Sequence, residues 1–351
     1  MNLTRSAGAA LAAAALFGAS TPFAKQLVGD MPPVMLAGLL YLGSGIGLWV
    51  FRLAKSRRLD IPHLSGPERL WLACAIVFGG ILGPVLLMVG LSYTSAAQAS
   101  LLLNLEAVLT AVLAWIVFHE HTDRRIILGM CLIVAGGLFL AVPQGGGLAS
   151  GSALGNLAVA AACLCWALDN NLTRKVSATD ALFLAGTKGL VAGATNTAIA
   201  LALGYSLPAW PLAAESMGLG LAGYGVSLVL FVLALRGLGS ARTGAYFSTA
   251  PFVGAVIAII GYGEATSIMF WAAALLMAVG VWLHLTERHD HMHTHDALVH
   301  SHPHVHDEHH QHQHDFPWDG TEPHTHLHQH RPITHRHPHY PDIHHQHHHS
   351  P

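Results

Sequence analysis

Histidine is the residue type whose spacing most clearly predicts chemistry in this chain. Of its 28 histidines, 24 lie between His289 and His349, many of them alternating with one other residue. Neutral imidazole binds Ni²⁺, Co²⁺, Zn²⁺ and Cu²⁺. We therefore predict a metal-binding tail, with solvated low-complexity filler or a pH-buffering segment as alternatives. The predicted tail ligands are His289, His291, His293, His295, His300, His302, His304, His306, His324, His326, His328 and His330.

Two further histidines, His119 and His121, flank Glu120 at the end of a long apolar stretch. At the mouth of a path through the protein, two imidazoles beside a carboxylate could pass metal ions from the tail to the path. The alternative is an ordinary solvated turn, and both interpretations stay open.

Ionisable and amide side chains inside apolar stretches form a second candidate site. Charge within a bilayer is costly, so such residues usually face a cavity or a partner. We predict that Glu106 and Asp169 line a transport path and take part in cation or proton exchange. The alternative is that Glu106 and Lys188 form a structural ion pair. The predicted path residues are Asn104, Glu106, Asp169, Asn170 and Lys188.

A thiol lies close in sequence to one of these acids. Cys165 precedes Asp169 by four positions, so a helix would place both on one face. Thiolate and carboxylate together would make a partial metal site. A buried cysteine is more often a small hydrophobic residue, so this pair remains an open alternative.

The elements that must position these side chains are predicted to be membrane spans. Hydrophobic residues make up 52% of the 351 residues and charged residues 10%, against about 25% charged in a globular chain. The net charge of −2 argues against a nucleic-acid partner. The first apolar stretch also has features of a signal peptide, which is kept as an alternative. The ten stretches long enough to span a bilayer are Ala7–Leu27, Pro33–Leu53, Leu70–Leu91, Ala96–Phe118, Ile126–Val142, Leu154–Leu172, Ala181–Leu203, Met217–Leu235, Thr243–Tyr262 and Ile268–Leu285.

Positive charges predict the orientation of these spans. With the N-terminus in the cytoplasm, 13 Lys and Arg residues fall on the cytoplasmic side and only Lys25 on the other. An even number of spans returns the tail to the cytoplasm. We predict a multi-pass protein of a bacterial inner membrane with both termini cytoplasmic.

The sequence also carries a weak internal repeat. A fixed shift brings Leu91 onto Leu235, Glu120 onto Glu264 and Gly136 onto Gly280. Two halves of five spans each would be inverted relative to one another, with the substrate path between them. The predicted fold is an all-α membrane protein of ten helices in two inverted five-helix repeats, plus a disordered His-rich C-terminal tail. The predicted segments are residues 1–142, a linker at 143–153, residues 154–286, and the tail at 287–351.

Three segments resemble a known family. They are ALFGASTPFAKQLV in the first span, EAVLTAVLAWIVFHE from Glu106, and APFVGAVIAIIGYGE from Ala250. They are similar to the EamA-type members of the drug/metabolite transporter superfamily, although Ala107 stands where that family often has proline. The resemblance implies a ten-helix bundle with inverted halves and a central cavity that moves small solutes without ATP.

With its His-rich tail, the chain looks like the nickel/cobalt-resistance branch of that superfamily. We expect proton-coupled export of nickel or cobalt, with no required cofactor and with Ni, Co or Zn bound as substrate or tail ligand. The expected partners are the lipid bilayer, divalent metal ions and protons, with a homodimer as a possible assembly. The alternatives are an exporter of amino acids or other metabolites with a metal-regulated tail, and a metal-binding sensor or store without transport. An enzyme is not expected, because no nucleophile and base pair stands out.

Overall fold

The computed structural model divides the chain into two units, residues 1–287 and residues 288–351. The first unit is helical and contains all ten predicted spans. The second contains the His-rich tail. The described residues are 3–56, 62, 64–118, 124–141, 150–174, 176, 180–238, 240–286, 290–295, 299–304, 324–329 and 333–338.

Helices occupy every one of the ten predicted stretches. In the first half they are α1 (Leu3–Leu27), α2 (Pro33–Ser56), α3 (Gly66–Ala75), α4 (Gly83–Tyr93), α5 (Ala96–Leu102), α6 (Leu105–Phe118) and α7 (Arg124–Ala141). In the second half they are α8 (Ser150–Arg174), α9 (Ala181–Ala202), α10 (Trp210–Gly220), α11 (Ser227–Leu238), α12 (Ser240–Phe247), α13 (Ala250–Val256) and α14 (Ile268–Leu285). Wider π-helical turns at Ile76–Leu82, Leu221–Val226 and Ile257–Gly261 continue α3 into α4, α10 into α11, and α13 towards its end.

Apolar side chains cover the outside of the helical unit as well as its interior. Met35 and Leu91 are completely buried, whereas Leu157 is 67% exposed and Ile268 is 83% exposed. Such a surface suits lipid rather than water. In the described part of the chain, seven helices are long and apolar enough to cross a membrane. The arrangement of ten spans in inverted repeats therefore stays a prediction.

The helix α9 shows why the number seven falls short of ten. It is 22 residues long, but it carries Lys188, Asn196 and several threonines, and it is not among the seven apolar helices. Asn196 is completely buried. The polar residues of this helix therefore lie in the protein interior. They lower its mean hydropathy, so hydropathy alone does not identify it as a membrane span.

Two of the predicted spans are interrupted, which corrects their prediction as continuous helices. The stretch Ala96–Phe118 breaks at Leu103–Asn104, and the stretch Thr243–Tyr262 breaks at Ser248–Thr249. These are the fourth stretch of each half. At each break a side chain adds a second bond to a carbonyl that already accepts a backbone N–H. Asn104 donates to the carbonyl of Leu101 at 3.0 Å, and Thr249 donates to that of Tyr246 at 2.6 Å. The first break forms without the proline that Ala107 replaces.

The two halves pack into each other through glycine. Helices α2 and α9 meet where a Cβ added to Gly189 would lie 2.7 Å from Cα of Gly45. Helices α7 and α14 meet similarly, where a Cβ on Gly280 would lie 2.7 Å from the carbonyl oxygen of Gly129. Residues without side chains let helix backbones approach closely, which is how helices pack in lipid. The first helix, α1, packs against α11 and α13.

The described segments of the tail form four strands: β1 (Asp290–His295), β2 (Val299–His304), β3 (His324–Gln329) and β4 (Ile333–Pro338). Strand β1 pairs with β4, and β2 with β3, both antiparallel. The prediction of a disordered tail is therefore wrong for these four segments. Composition argued against a packed core, but alternation of His with another residue also matches the two-residue period of a strand.

Candidate functional site

The predicted path residues meet where α6, α8 and α9 approach one another. The side-chain amide of Asn170 on α8 donates to Oε1 of Glu106 on α6 at 2.9 Å. The same amide nitrogen lies 3.3 Å from the hydroxyl of Thr110, one turn further along α6. The carboxylate of Glu106 therefore accepts from a neutral amide, and that amide is shared with a hydroxyl.

Lys188 on α9 pairs with the carboxylate of Asp169 on α8. The alternative that Lys188 pairs with Glu106 is therefore wrong. The side chain of Asp169 is 7% exposed and that of Lys188 is 20% exposed. The hydroxyl of Thr173 also donates to Asp169, at 3.0 Å. Asp169 pairs with Lys188 because both are near the π-helical turn Ile76–Leu82. The side chain of Asp169 lies at Gly79 in this turn, and α9 packs against the same turn.

The π-helical turn at Ile76–Leu82 holds this cluster in place. The hydroxyl of Tyr41 and the indole nitrogen of Trp166 both donate to the carbonyl of Gly79, at 2.9 Å and 3.0 Å. Asn196 donates to the next carbonyl, that of Gly80, at 3.3 Å. A wider turn misaligns its own backbone bonds, so side chains satisfy the carbonyls instead.

Gly79 also gives Asp169 the space that it occupies. A Cβ at position 79 would overlap the carboxylate of Asp169. Sequence reasoning missed Tyr41, Gly79, Trp166 and Asn196. The Gly79-Gly80 pair inside a span was the available signal, because paired glycines in a helix often mark a close approach.

Asn104 lies close to this cluster in sequence but has another partner. It is 3% exposed, and it bonds to the carbonyl of Leu101 and lies 3.9 Å from the sulfur of Met277. Its observed contacts are those of a residue that supports the helix interruption. That Asn104 lines the transport path stays a prediction.

Aromatic rings line the neighbouring part of the bundle. Tyr224 lies 5.5 Å from Tyr41 and 5.9 Å from Phe17, measured between ring centroids. Phe247, at the interruption of the ninth stretch, lies 5.3 Å from Phe17. These rings come from four separate elements, so the charged cluster adjoins an aromatic one through Tyr41.

The predicted metal ligands fall largely outside what the structure describes. His119 and His121 lie outside the described residues, as do His289, His306 and His330. His291, His293, His295, His300, His302, His304, His324, His326 and His328 lie on strands, where the backbone alone is described. Within the described residues, there is no group of three or more His, Cys, Asp or Glu side chains arranged to hold a metal. Cys165 and Asp169 thus lack a third ligand there.

Known proteins share both the sequence and the fold. An uncharacterized transporter of Methanothermobacter thermautotrophicus is 29% identical over an alignment of 288 residues, and the match covers 78% of this chain and 84% of that protein. The uncharacterized transporter YyaM of Bacillus subtilis is 26% identical over 285 residues, 75% of this chain and 88% of its own. One crystal structure superimposes with a TM-score of 0.59 at 19% identity, covering 80% of this chain and 96% of the other, which shows the fold alone.

The family comparison covers most of the helical unit. The model of the EamA-like transporter family matches residues 4–142 and again residues 153–286. Two matches of one model agree with the weak repeat seen in the sequence. With its membrane-spanning helices, the chain is a multi-pass membrane protein, and it belongs to the EamA-like transporter family.

Proposed function

We propose that the chain is a secondary transporter of cations in which Glu106 binds the transported cation or the exchanged proton. The charge balance of the site carries this proposal. Lys188 neutralises Asp169, whereas Glu106 bonds to the neutral side chain of Asn170. Of the three ionisable groups in this cluster, Glu106 thus leaves a net negative charge. Among the described residues, the hydrogen-bond partner of Glu106 is a neutral amide, and a carboxylate so placed inside a membrane protein is suited to binding a cation or a proton.

The substrate we propose is a divalent transition metal, with nickel and cobalt first. The 24 histidines of the tail support this choice, because imidazole is a ligand for these ions. The backbone register adds support, since His300, His302 and His304 are the partners of His328, His326 and His324. Residues two apart on a strand share a face. The register therefore puts three opposing histidine pairs on one face of the β2–β3 ladder.

Export by proton antiport from the cytoplasm of a bacterium is the proposed direction and coupling. The tail, with its metal ligands, is predicted to lie in the cytoplasm with both termini, where it would collect ions for export. Moving a cation against an inside-negative potential costs about 2.3 kcal/mol per charge per 100 mV. A divalent ion therefore needs a driving ion, and a proton exchanging on Glu106 would supply it.

A second candidate is the export of an organic cation or another small metabolite. The aromatic cluster of Phe17, Tyr41, Tyr224 and Phe247 favours it, because aromatic faces attract organic cations. So does the lack of a metal-ligand group among the side chains that the structure describes. In this case the tail would regulate transport in response to metal.

Flux measurements in proteoliposomes test both candidates. The full-length protein is reconstituted, a pH gradient is imposed, and uptake of Ni²⁺, Co²⁺ or Zn²⁺ is followed beside proton movement. The variants are Glu106→Gln and a matched control, Glu215→Gln, which changes an exposed carboxylate on α10. We expect gradient-driven nickel or cobalt flux that the control keeps and Glu106→Gln loses.

The alternative outcomes separate the proposals. If organic amines drive proton movement and no metal flux is seen, the substrate is an organic cation and not a metal. Equal flux in the parent and in Glu106→Gln would contradict the role of Glu106. A size-exclusion profile of each variant tests whether the protein is still folded, so that a loss of flux can be attributed to the substituted residue.

A further inference from the structure

A carboxylate of the second half caps a short helix of the first half. Oε1 of Glu264 accepts the backbone N–H of Ala96 at 2.9 Å, and Oε2 accepts that of Ala97 at 2.8 Å. The hydroxyl of Ser95 accepts the N–H of Gln98 at 3.1 Å. The first N–H groups of a helix have no partner within it. Side chains therefore satisfy all three at the start of α5, two of them through a single carboxylate from the other half.

Other polar side chains extend this connection at the same end of the bundle. The amide of Gln98 donates to Oδ1 of Asn156 on α8 and to the carbonyl of Leu140 on α7, each at 2.8 Å. Lys25 on α1 donates to the carbonyl of Leu91 at 2.5 Å. We call Lys25, Ser95, Gln98, Asn156 and Glu264 the polar latch. It joins both halves of the protein through side chains from several separate segments.

A cleft opens beside the polar latch. Its volume is about 450 Å³, and its walls include Lys25, Gln98 and Glu264 of the latch. Tyr93 and Ser152 also line the cleft. The predicted topology puts this end outside the cytoplasm. Solvent can therefore reach the latch through the cleft, while the helices beyond the latch are packed together.

The latch ties the two interrupted helices to each other. Helix α5 is the short part of the first one, and it ends at Leu103–Asn104, two residues before Glu106. Glu264 follows the end of the second one, after Gly263, whose φ of +66° turns the chain back. The N–H of Glu264 remains bonded to the carbonyl of Ala258 at 3.2 Å. The side chain of Glu264 thus connects the end of one interrupted helix to the start of the other.

Beyond the latch, α5 is held by packing alone at its closest approach to α13. A Cβ on Gly254 of α13 would lie 2.6 Å from the hydroxyl oxygen of Ser100. Ser100 is 1% exposed, and within the described residues its hydroxyl has no hydrogen-bond partner. A helix of seven residues is too short to be stable unsupported. The cap by Glu264 is thus the main polar restraint on this face.

We propose that Glu264 is the latch residue of a gate, and that its release from Ala96 and Ala97 lets α5 separate from α13 and opens the path from the cleft. This inference rests on the proposed transport function. The structure then represents the state closed at the Glu264 end. Glu264 acts as a positioning residue, since it sets the place of α5 and does not touch the proposed substrate site at Glu106.

Thiol labelling measures the gate without measuring transport. Ser100→Cys serves as the reporter, in full-length protein whose four native cysteines are replaced, held in lipid nanodiscs. A charged, membrane-impermeant thiol reagent reacts slowly with it while α5 packs on α13. Glu264→Gln keeps the shape but has one acceptor oxygen for two N–H groups. We expect about tenfold faster labelling, equal to ~1.4 kcal/mol. The control Glu215→Gln should label as the parent does.

A labelling rate in Glu264→Gln equal to that of the parent would overturn the proposal. Glu264→Asp is the second variant, because it keeps the charge and shortens the reach, and it should also label faster. If Glu264→Gln does not fold, the aspartate variant decides between the two outcomes. Flux of the same proteins is measured separately. Faster labelling without any flux in the parent would keep the gate and reject the proposed transport function.

Discussion

The fourth and the ninth predicted spans break at equivalent places but lie in different surroundings. After Leu103–Asn104 the chain reaches Glu106, which contacts Asn170 beside a buried ion pair. The second break, at Ser248–Thr249, directly follows Phe247, whose ring packs against other rings of the aromatic cluster. The backbone of the repeat is thus shared, while the charge belongs to one break and the aromatic rings to the other.

The largest expected effect comes from breaking the charged side. Lys188→Met leaves the carboxylate of Asp169 buried without its partner, and such a loss costs about 3–5 kcal/mol. The double variant Asp169→Asn with Lys188→Met should recover much of that stability, because neither charge of the pair is left without its partner. Thermal unfolding in detergent measures both. A single variant as stable as the parent would show that the ion pair is not what holds α8 to α9.

A smaller loss should follow from crowding the second break. Gly254→Val places a side chain against the carbonyl oxygen of Gly18 and against Ser100, each 2.6 Å from the new Cβ. Overpacking of this kind costs about 1–3 kcal/mol. Gly244→Ala is the matched control, because nothing lies within 4 Å of its Cβ. If the two variants unfold at the same temperature, the contact between α13 and α5 is loose.

Removing the side chains that stabilise each break sharpens the comparison. Asn104 is 3% exposed, and its side-chain amide is one of two donors to the carbonyl of Leu101, so Asn104→Ala should cost about 1–1.5 kcal/mol for the lost hydrogen bond. Thr249 is only partly buried, so Thr249→Val should cost less, about 0.5–1 kcal/mol. The denaturation midpoints of the two variants give the order. The reverse order would mean that the second break depends more on its side chain.

The smallest effect is expected where the two breaks differ by a proline. The second break has Pro251 in the first turn of α13, and the first has Ala107 in the first turn of α6. Proline is tolerated in a first helical turn, so Ala107→Pro should change stability by less than about 1 kcal/mol. A clear drop in unfolding temperature would show that α5 and α6 depend on the N–H of Ala107.

Composition and hydropathy predicted the helices, but they could not predict which side chains contact one another. Apolar stretches long enough for a bilayer led to the right segments because lipid imposes that length. Glu106 was identified as a special residue because a charge in such a stretch is rare. The partner of Lys188 could not be predicted, since Asp169 and Glu106 both lie in spans and only the packing of α8 on the Gly79 turn decides between them. Glu264 entered the sequence analysis only as the repeat match of Glu120, and its contact with α5 was not predicted because it lies outside the predicted spans.

The length of the helical segment formed by α3, the π-helical turn and α4 has a consequence for the membrane around it. This segment, Gly66–Tyr93, has 28 residues and is roughly 40 Å long, against a hydrocarbon core of about 30 Å. The 18 residues of Arg124–Ala141 reach about 27 Å. A bilayer can match one of these only if the other tilts or protrudes. A change in bilayer thickness should therefore change the tilt of the segment that carries Gly79, and with it the surroundings of the Asp169–Lys188 pair.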